Sequence, residues 1–246
     1  SIITAVYNRV NTVEDAIQSV LGQDYPNIEY IVIDGKSNDG TIEIINKYRS
    51  SISMFVSEKD NGIYDALNKG ITMSTGDIIG FLHSDDLFEN KTVISDLVKM
   101  FELHNVDSVY GDLVYVSSDN PESIIRYWSS GIYKYRNLKN GWTPPHPSFY
   151  VKKEVYNSFG MFDTGLRIAA DYDITLRFLF KEKISTIYLP KVFIRMRHGG
   201  ASSAFGNIYK KMKEDCIAMS RNGIWWPYTL FMKNFRKLPQ FFIKKK

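Results

Sequence analysis

The stretch from Thr75 to Phe88 reads TGDIIGFLHSDDLF, a short apolar strand that ends in His83, Ser84, Asp85 and Asp86. Two adjacent carboxylates at the carboxyl end of a buried strand repel each other, so they persist where a cation, a ligand or water neutralises them. That pattern suggests a metal site. A turn that caps a helix uses the same residue types, and on this segment alone the two readings stand level. A second polar strand end, IDGKSNDGT at 33–41, joins a strand to a Gly-containing turn and the start of a helix. There Asp34 has two oxygens that can accept two donors of a base or ribose at once, while Ser37 to Thr41 read as a helix-capping turn. The segment lacks the spacing of a dinucleotide fingerprint or of a phosphate loop ending in Lys-Ser/Thr.

These residues need elements to hold them. SIITAVY at 1–7 reads as a buried strand, and Asn11 with Glu14 reads as a capping box before a helix over 12–21 carrying Val13, Ala16, Ile17, Val20 and Leu21. After the turn at Tyr25-Pro26-Asn27 come a strand at 28–34, a helix with Ile42, Ile45 and Tyr48, a strand near 53–57, a helix over 63–73 and a strand at 77–82. Strands that alternate with helices imply parallel βαβ units, hence an α/β sheet flanked by helices. Ligands bind outside the carboxyl ends of such strands. Tyr7, Asn8, Asp34, Gly35, Glu58, Asp60 and His83 to Asp86 all fall at such ends, which puts the polar residues of four strands on one rim.

From about 107 the pattern changes to short strands, SVYGDLVYV and SIIRYW, and a Gly-, Trp- and Pro-rich loop containing TPPHPSF at 143–149. This half reads as α+β, laying an antiparallel edge against the first sheet. A helix over 171–181, a strand at 191–197 and a long helix from about Ser203 follow. No internal repeat or linker interrupts the chain, so both halves are expected in one globule.

At 246 residues, 44% hydrophobic and 24% charged, the chain suits a soluble protein with one sizeable core. The single cysteine, Cys216, excludes an internal disulfide framework and a cysteine zinc cluster. No apolar run reaches the ~18–20 residues that span a bilayer, and the start lacks the regions of a signal peptide. The numbering opens on a strand without Met, so a few leading residues are expected before it. Arg221, Lys233, Arg236, Lys237 and Lys244 to Lys246 follow Cys216 with no acid among them, which leaves the preceding body slightly acidic within a formal charge of +4. Basicity confined to a tail argues against a nucleic-acid binder.

Seven segments in order, SIITAVYNR, IDGKSNDGT, KDNGIYDALNKGI, TGDIIGFLHSDD, HPSFYVKKEVYNSFGMFD, AADYDITLRF and RMRHGGAS, resemble the family 2 inverting glycosyltransferases of the GT-A fold. The match covers about residues 1–205. It implies a single domain, with a nucleotide-sugar half over 1–106 and an acceptor half over 107–205, followed by a helix and tail over 206–246. By the resemblance, Ala5, Val6 and Tyr7 hold the base through their backbone and Asp34 through its side chain, while Asp65 and Asn68 close the nucleotide pocket. Ser84, Asp85 and Asp86 match the DxD-type motif, with His83 standing where that motif has its first acid. Asp85 is the expected ligand of Mn²⁺ or Mg²⁺, which would bridge to the donor diphosphate; His83 and Asp86 are further ligand candidates. Asp171 of AADYD occupies the position of the base that takes a proton from the acceptor hydroxyl as that oxygen displaces the nucleotide. Arg197 and His198 are candidates for the diphosphate, and His146 and Asp173 for the acceptor side.

The tail NGIWWPYTLFMKNFRKLPQFFIKKK interleaves aromatics and Leu with basic residues, a composition suited to a membrane surface; a helix docked on the body is the other reading. The expected protein is a cytoplasmic glycosyltransferase, peripheral on the inner face of the membrane. It would move a sugar from a nucleotide diphosphate, UDP being the commonest carrier, to a glycan or lipid-linked acceptor in surface polysaccharide synthesis. The rivals are a non-catalytic nucleotide-sugar-binding subunit, which would have no need of Asp171, and a metal-dependent nucleotidyltransferase, which would need a Gly-rich loop absent from AVYNRVNT.

Overall fold

Strand β1 (Ile2–Val6) sends Ile3 and Ala5 into the core on one side of a sheet and Ile2 and Val6 into the core on the other. Burial on both faces is why its sequence is continuously apolar rather than alternating. The computed structural model describes residues 1–199 and 208–236. After β1 come α1 (Val13–Leu21), β2 (Tyr30–Asp34), α2 (Thr41–Lys47), β3 (Met54–Ser57), α3 (Ile63–Met73) and β4 (Ile78–Phe81). These four strands are parallel in the order β3-β2-β1-β4, as the alternation of strands and helices requires.

The second half adds β5 (Leu87–Phe88), α4 (Val93–His104), β6 (Ser108–Val116), β7 (Ile124–Trp128), α5 (Tyr135–Lys139), β8 (Phe149–Lys152), α6 (Lys153–Phe159), α7 (Ala170–Leu176) and β9 (Thr186–Arg197). Strand β8 joins the halves, running antiparallel to both β4 and β6, so a single sheet continues β4-β8-β6-β9-β5. The long strand β6 gives one edge to β9 and shares the other between β8 and β7. Gly80 in β4 lies beneath the Tyr150 ring of β8, where any side chain would collide with the ring. The α/β class read from the sequence is the one observed.

Two local expectations change. The Asn11–Glu14 capping box does not form, because the Tyr48 hydroxyl donates to Glu14 at 2.8 Å and the Thr12 hydroxyl donates to the Ser84 carbonyl at 2.9 Å. The helix expected over 171–181 is regular only to Leu176 and then widens into a π-turn over Arg177–Lys181, where the Glu182 N–H donates to the Arg177 carbonyl. The wider turn carries three consecutive apolar side chains, Phe178, Leu179 and Phe180, into the core, which one face of a regular helix does not do.

The helix expected from Ser203 is seen as α8 (Ile208–Arg221), its first expected turn lying outside the described residues. With α9 (Trp226–Phe235) it docks on α7 rather than extending away from the body. Among the described residues no helix is long and apolar enough to cross a membrane.

Candidate active site

A cleft of about 1130 Å³ opens at the carboxyl ends of the parallel strands. One wall comes from Ala5, Val6 and Tyr7 at the end of β1, Gly35 after β2, Asp60 after β3, and His83, Ser84 and Asp85 after β4. Facing them are the loop from Gly141 to Pro147 and Asp171 with Tyr172 on α7. Tyr7 is 59% exposed, its ring resting with one edge over Gly35. A third wall comes from the C-terminal helices: Lys210, Lys211 and Asp215 of α8, Lys233 of α9 and the adjacent Arg236.

At the end of β4 the two carboxylates part company. Asp85 faces the cleft, 4.0 Å from the Arg9 guanidinium. Asp86 points inward, 1% exposed, and accepts the Arg197 backbone N–H at 3.2 Å. Burial, reinforced by the charge of Asp85, raises its pKa well above the usual carboxylate range. Arg197 turns its guanidinium to the Asp85 carbonyl at 3.1 Å and to the Asp15 carboxylate at 2.5 Å while lining the cleft. It thereby pins the HSDD turn to both β9 and α1.

His83 and His146 stack with ring centroids 6.3 Å apart, and His146 also stacks on Phe81 at 5.3 Å. Enclosure lowers the pKa of both; for His146 it prevails over the opposing pull of Asp171 and brings the value to about 4. Both imidazoles are therefore neutral at neutral pH. Both cleft carboxylates, Asp85 and Asp171, pull the His83 pKa upward, but burial outweighs them.

Among the described residues no group of three His, Cys, Asp or Glu side chains is placed to hold a metal by itself. The donor set fits another mode: Asp85 alone on the cleft surface, beside a buried His83 Nδ1 that has no hydrogen-bond partner. Mg²⁺-type ions commonly take one or two carboxylates and complete their shell with substrate phosphates and water.

Asp171 stands in the first turn of α7, where the helix dipole favours its charge. Its Oδ1 accepts the Tyr172 N–H at 2.8 Å. The Tyr64 hydroxyl of α3 lies 3.2 Å from the same oxygen and 2.9 Å from the Ile168 carbonyl, donating to one of them at a time. From α8, buried Glu214 accepts the N–H groups of Ile168 at 2.7 Å and Ala169 at 3.0 Å. The segment leading into Asp171 is thus held by two side chains distant in sequence. Beside it, the Lys233 ammonium lies 2.8 Å from Asp215 and 3.3 Å from the centre of the Tyr172 ring.

Other residues singled out in the sequence lie away from the cleft surface. Asp34 is fully buried and accepts Ser37 N–H at 3.0 Å, Ser37 Oγ at 2.5 Å and Ser57 Oγ at 2.6 Å, so it braces the strand ends beneath Gly35. Asp65 caps the Asn61 N–H at 2.9 Å, and Asn68 pairs with both the N–H and the carbonyl of Phe162. Asp173, expected on the acceptor side, is buried and turned to Asn222 Nδ2 at 3.0 Å, with Arg177 at 3.7 Å. His198 accepts Ser118 Oγ through its carbonyl and donates its N–H to Val116, closing the end of β9. Sequence reasoning missed Arg9, Tyr64, Glu214, Asp215 and Lys233; the YNR and GIYDA segments contained the first two, but nothing local marks the others.

The sequence profile of "Glycosyl transferase family 2" matches residues 1–156. An uncharacterized glycosyltransferase of Rickettsia typhi is 32% identical over 209 residues, covering 80% of this chain and 63% of that protein. Among solved structures, S. aureus TarS 1–349 in complex with UDP-GlcNAc superposes with a TM-score of 0.69 at 17% identity, covering 98% of this chain and 77% of that one. A mannosyltransferase from Pyrobaculum calidifontis in complex with GDP-Man and Mn²⁺ gives a TM-score of 0.63 at 19% identity, covering 100% of this chain and 75% of that one. At such identities the likeness concerns the fold, which is that of the GT-A glycosyltransferases.

Proposed function

The chain belongs to glycosyl transferase family 2, and on that premise we propose that it transfers a sugar, with inversion, from a nucleotide diphosphate to a hydroxyl of a glycan or lipid-linked acceptor. The observation that carries this reading is that Asp85 and Asp171 line one cleft together with the Ala5–Tyr7 strand end. UDP is the proposed carrier, supported by a fold neighbour that holds UDP-GlcNAc.

The base would lie along Ala5, Val6 and Tyr7 over Gly35, with Asp34 holding that floor from below. The diphosphate would lie against Ser84 and Asp85, where the Arg9 and Arg197 guanidiniums offset its charge. A divalent cation held by Asp85, when bound, would neutralise charge on the departing diphosphate. Asp171 takes the proton of the attacking hydroxyl, and its contacts with Tyr64 and the Tyr172 N–H fix the carboxylate against rotation. His146, neutral and stacked over Phe81, presents a ring edge to the acceptor.

On α9, Trp226, Tyr228, Phe231 and Phe235 are exposed, together with the preceding Trp225. The helix carries no acid, which supports seating against an anionic lipid surface close to the cleft mouth. Further basic residues of the tail, Lys237 and Lys244 to Lys246, lie outside the described residues.

The test is release of nucleoside diphosphate from a panel of nucleotide sugars with Mn²⁺, in the presence of acceptor glycans. Asp171→Asn, which keeps size and loses basicity, should lower kcat at least about 100-fold with little change in donor affinity. Full transfer by that variant would remove Asp171 from the role of base.

A further inference from the structure

The cleft contains more positive charge than the donor reading uses, and the surplus is on one side. Of the five charged residues that the C-terminal helices bring to it, Asp215 is the single acid, and it is engaged by Lys233. Lys233 is 8% exposed and held from three sides: Asp215, the Tyr172 ring, and the bare backbone of Gly141 against its Cα. That leaves Lys210, Lys211 and Arg236 facing the cleft with no carboxylate partner among the described residues. Lys211 is near enough to Lys233 for the two ammonium groups to repel each other. Cations gathered on a concave wall attract an anion of more than one charge.

Which anion follows from the direction of the chemistry. In an inverting displacement the attacking hydroxyl and the leaving diphosphate lie on opposite sides of the anomeric carbon, and the base lies with the hydroxyl. Asp171, on α7, lines the same cleft as His83 at the β4 end and Lys233 on the C-terminal helices. Lys233 lies 3.3 Å over the ring of Tyr172, the residue next to Asp171, so the basic wall packs on the helix that carries the proposed base and not on the β4 end. The wall lies on the acceptor's side of the reacting centre.

We propose that Lys210, Lys211 and Arg236 form a second anion subsite, which receives a phosphate group carried by the acceptor. The proposal rests on the glycosyltransferase reading and narrows its acceptor class to phosphate-bearing molecules. The exposed aromatics Trp226, Tyr228, Phe231 and Phe235 belong to the same helical pair but do not line the cleft, so whether a lipid chain adds to binding is read from the experiment.

The experiment uses the full chain saturated with UDP, titrated calorimetrically with inorganic phosphate and, separately, with farnesyl phosphate below its micelle concentration. Both should bind beside the nucleotide. Lys210→Gln combined with Lys211→Gln should weaken both about tenfold or more while changing UDP affinity less than about twofold, and Arg236→Gln should act the same way from the other helix. Tighter binding of farnesyl phosphate than of inorganic phosphate identifies a lipid-borne phosphate as the better ligand; equal affinities identify the phosphate alone, and either result supports the subsite. The proposal fails if phosphate does not bind the UDP-loaded protein, if the lysine variant binds it unchanged, or if UDP affinity falls by the same factor. Failure of the wild-type chain to bind UDP would instead overturn the donor reading on which the proposal stands.

Discussion

Glu214→Ala tests whether the C-terminal helices are part of the catalytic apparatus or a mere appendage. Glu214 is 6% exposed and supplies the acceptor for two backbone donors, Ile168 N–H at 2.7 Å and Ala169 N–H at 3.0 Å. Hydrogen bonds to a charged group contribute about 1.5–3 kcal/mol each, and donors left unpaired in a buried place cost a similar amount. Allowing for partial relaxation, the alanine variant should lose roughly 3–5 kcal/mol in urea unfolding, whereas Glu214→Gln, which keeps an acceptor oxygen, should lose about half as much. The proposed donor rim is built from β1 to β4 and does not touch Glu214, so donor KM should hold. Turnover should fall about 100-fold, because the residues that carry Asp171 into the cleft lose their anchor and a displacement near 1 Å costs that much. Unfolding midpoints and kcat equal to wild type would refute the reasoning, as would a rise in donor KM at constant kcat.

Acid should destabilise the fold through the stacked imidazoles. His146 has a pKa near 4 in the fold against 6.5 in the open chain, so between those values the unfolded state binds the extra proton and stability falls as pH falls. The gap is worth roughly 3 kcal/mol; His146→Gln should flatten the unfolding curve over that window, leaving the part due to His83, and an unchanged pH slope would count against the enclosure argument. Gly141→Ala introduces a methyl group 2.5 Å from the Lys233 Cα at a φ of +72°, so α9 must shift. Its melting temperature should fall, by the equivalent of about 2–4 kcal/mol, and a variant as stable as wild type would show that α9 is loosely seated.

The elements legible in the sequence were those whose signal is local. Val13, Ala16, Ile17 and Val20 repeat at helical spacing, and residues 63–73 bound a helix that is seen over Ile63–Met73. Helix α4 had the same kind of signal in Val93, Ile94, Leu97 and Phe101 and could have been found from it. The insertion of β8 between β4 and β6 was not legible, since strand order is decided by pairings between distant residues. The same limit applies in the cleft. Asp85 and Asp171 were found through motifs, but the inward turn of Asp86 depends on the Arg197 backbone, and the burial of Lys233 depends on Asp215 and Tyr172. A basic aromatic tail announces two faces without saying which one meets the protein.

The anchoring of Asp171 by α8 has a consequence for how the protein is made. Chains leave the ribosome from the N-terminus at ~5–20 residues per second, and early segments begin to associate while later ones are still being made. The rim formed by β1 to β4 is synthesised well before Asp171, and Glu214 follows Asp171 by several more seconds at that pace. On the proposed reading, a half-made chain would therefore present the donor rim while Asp171 remained unanchored. Nascent copies are expected, on the same reading, to spare the donor from futile hydrolysis until α8 emerges.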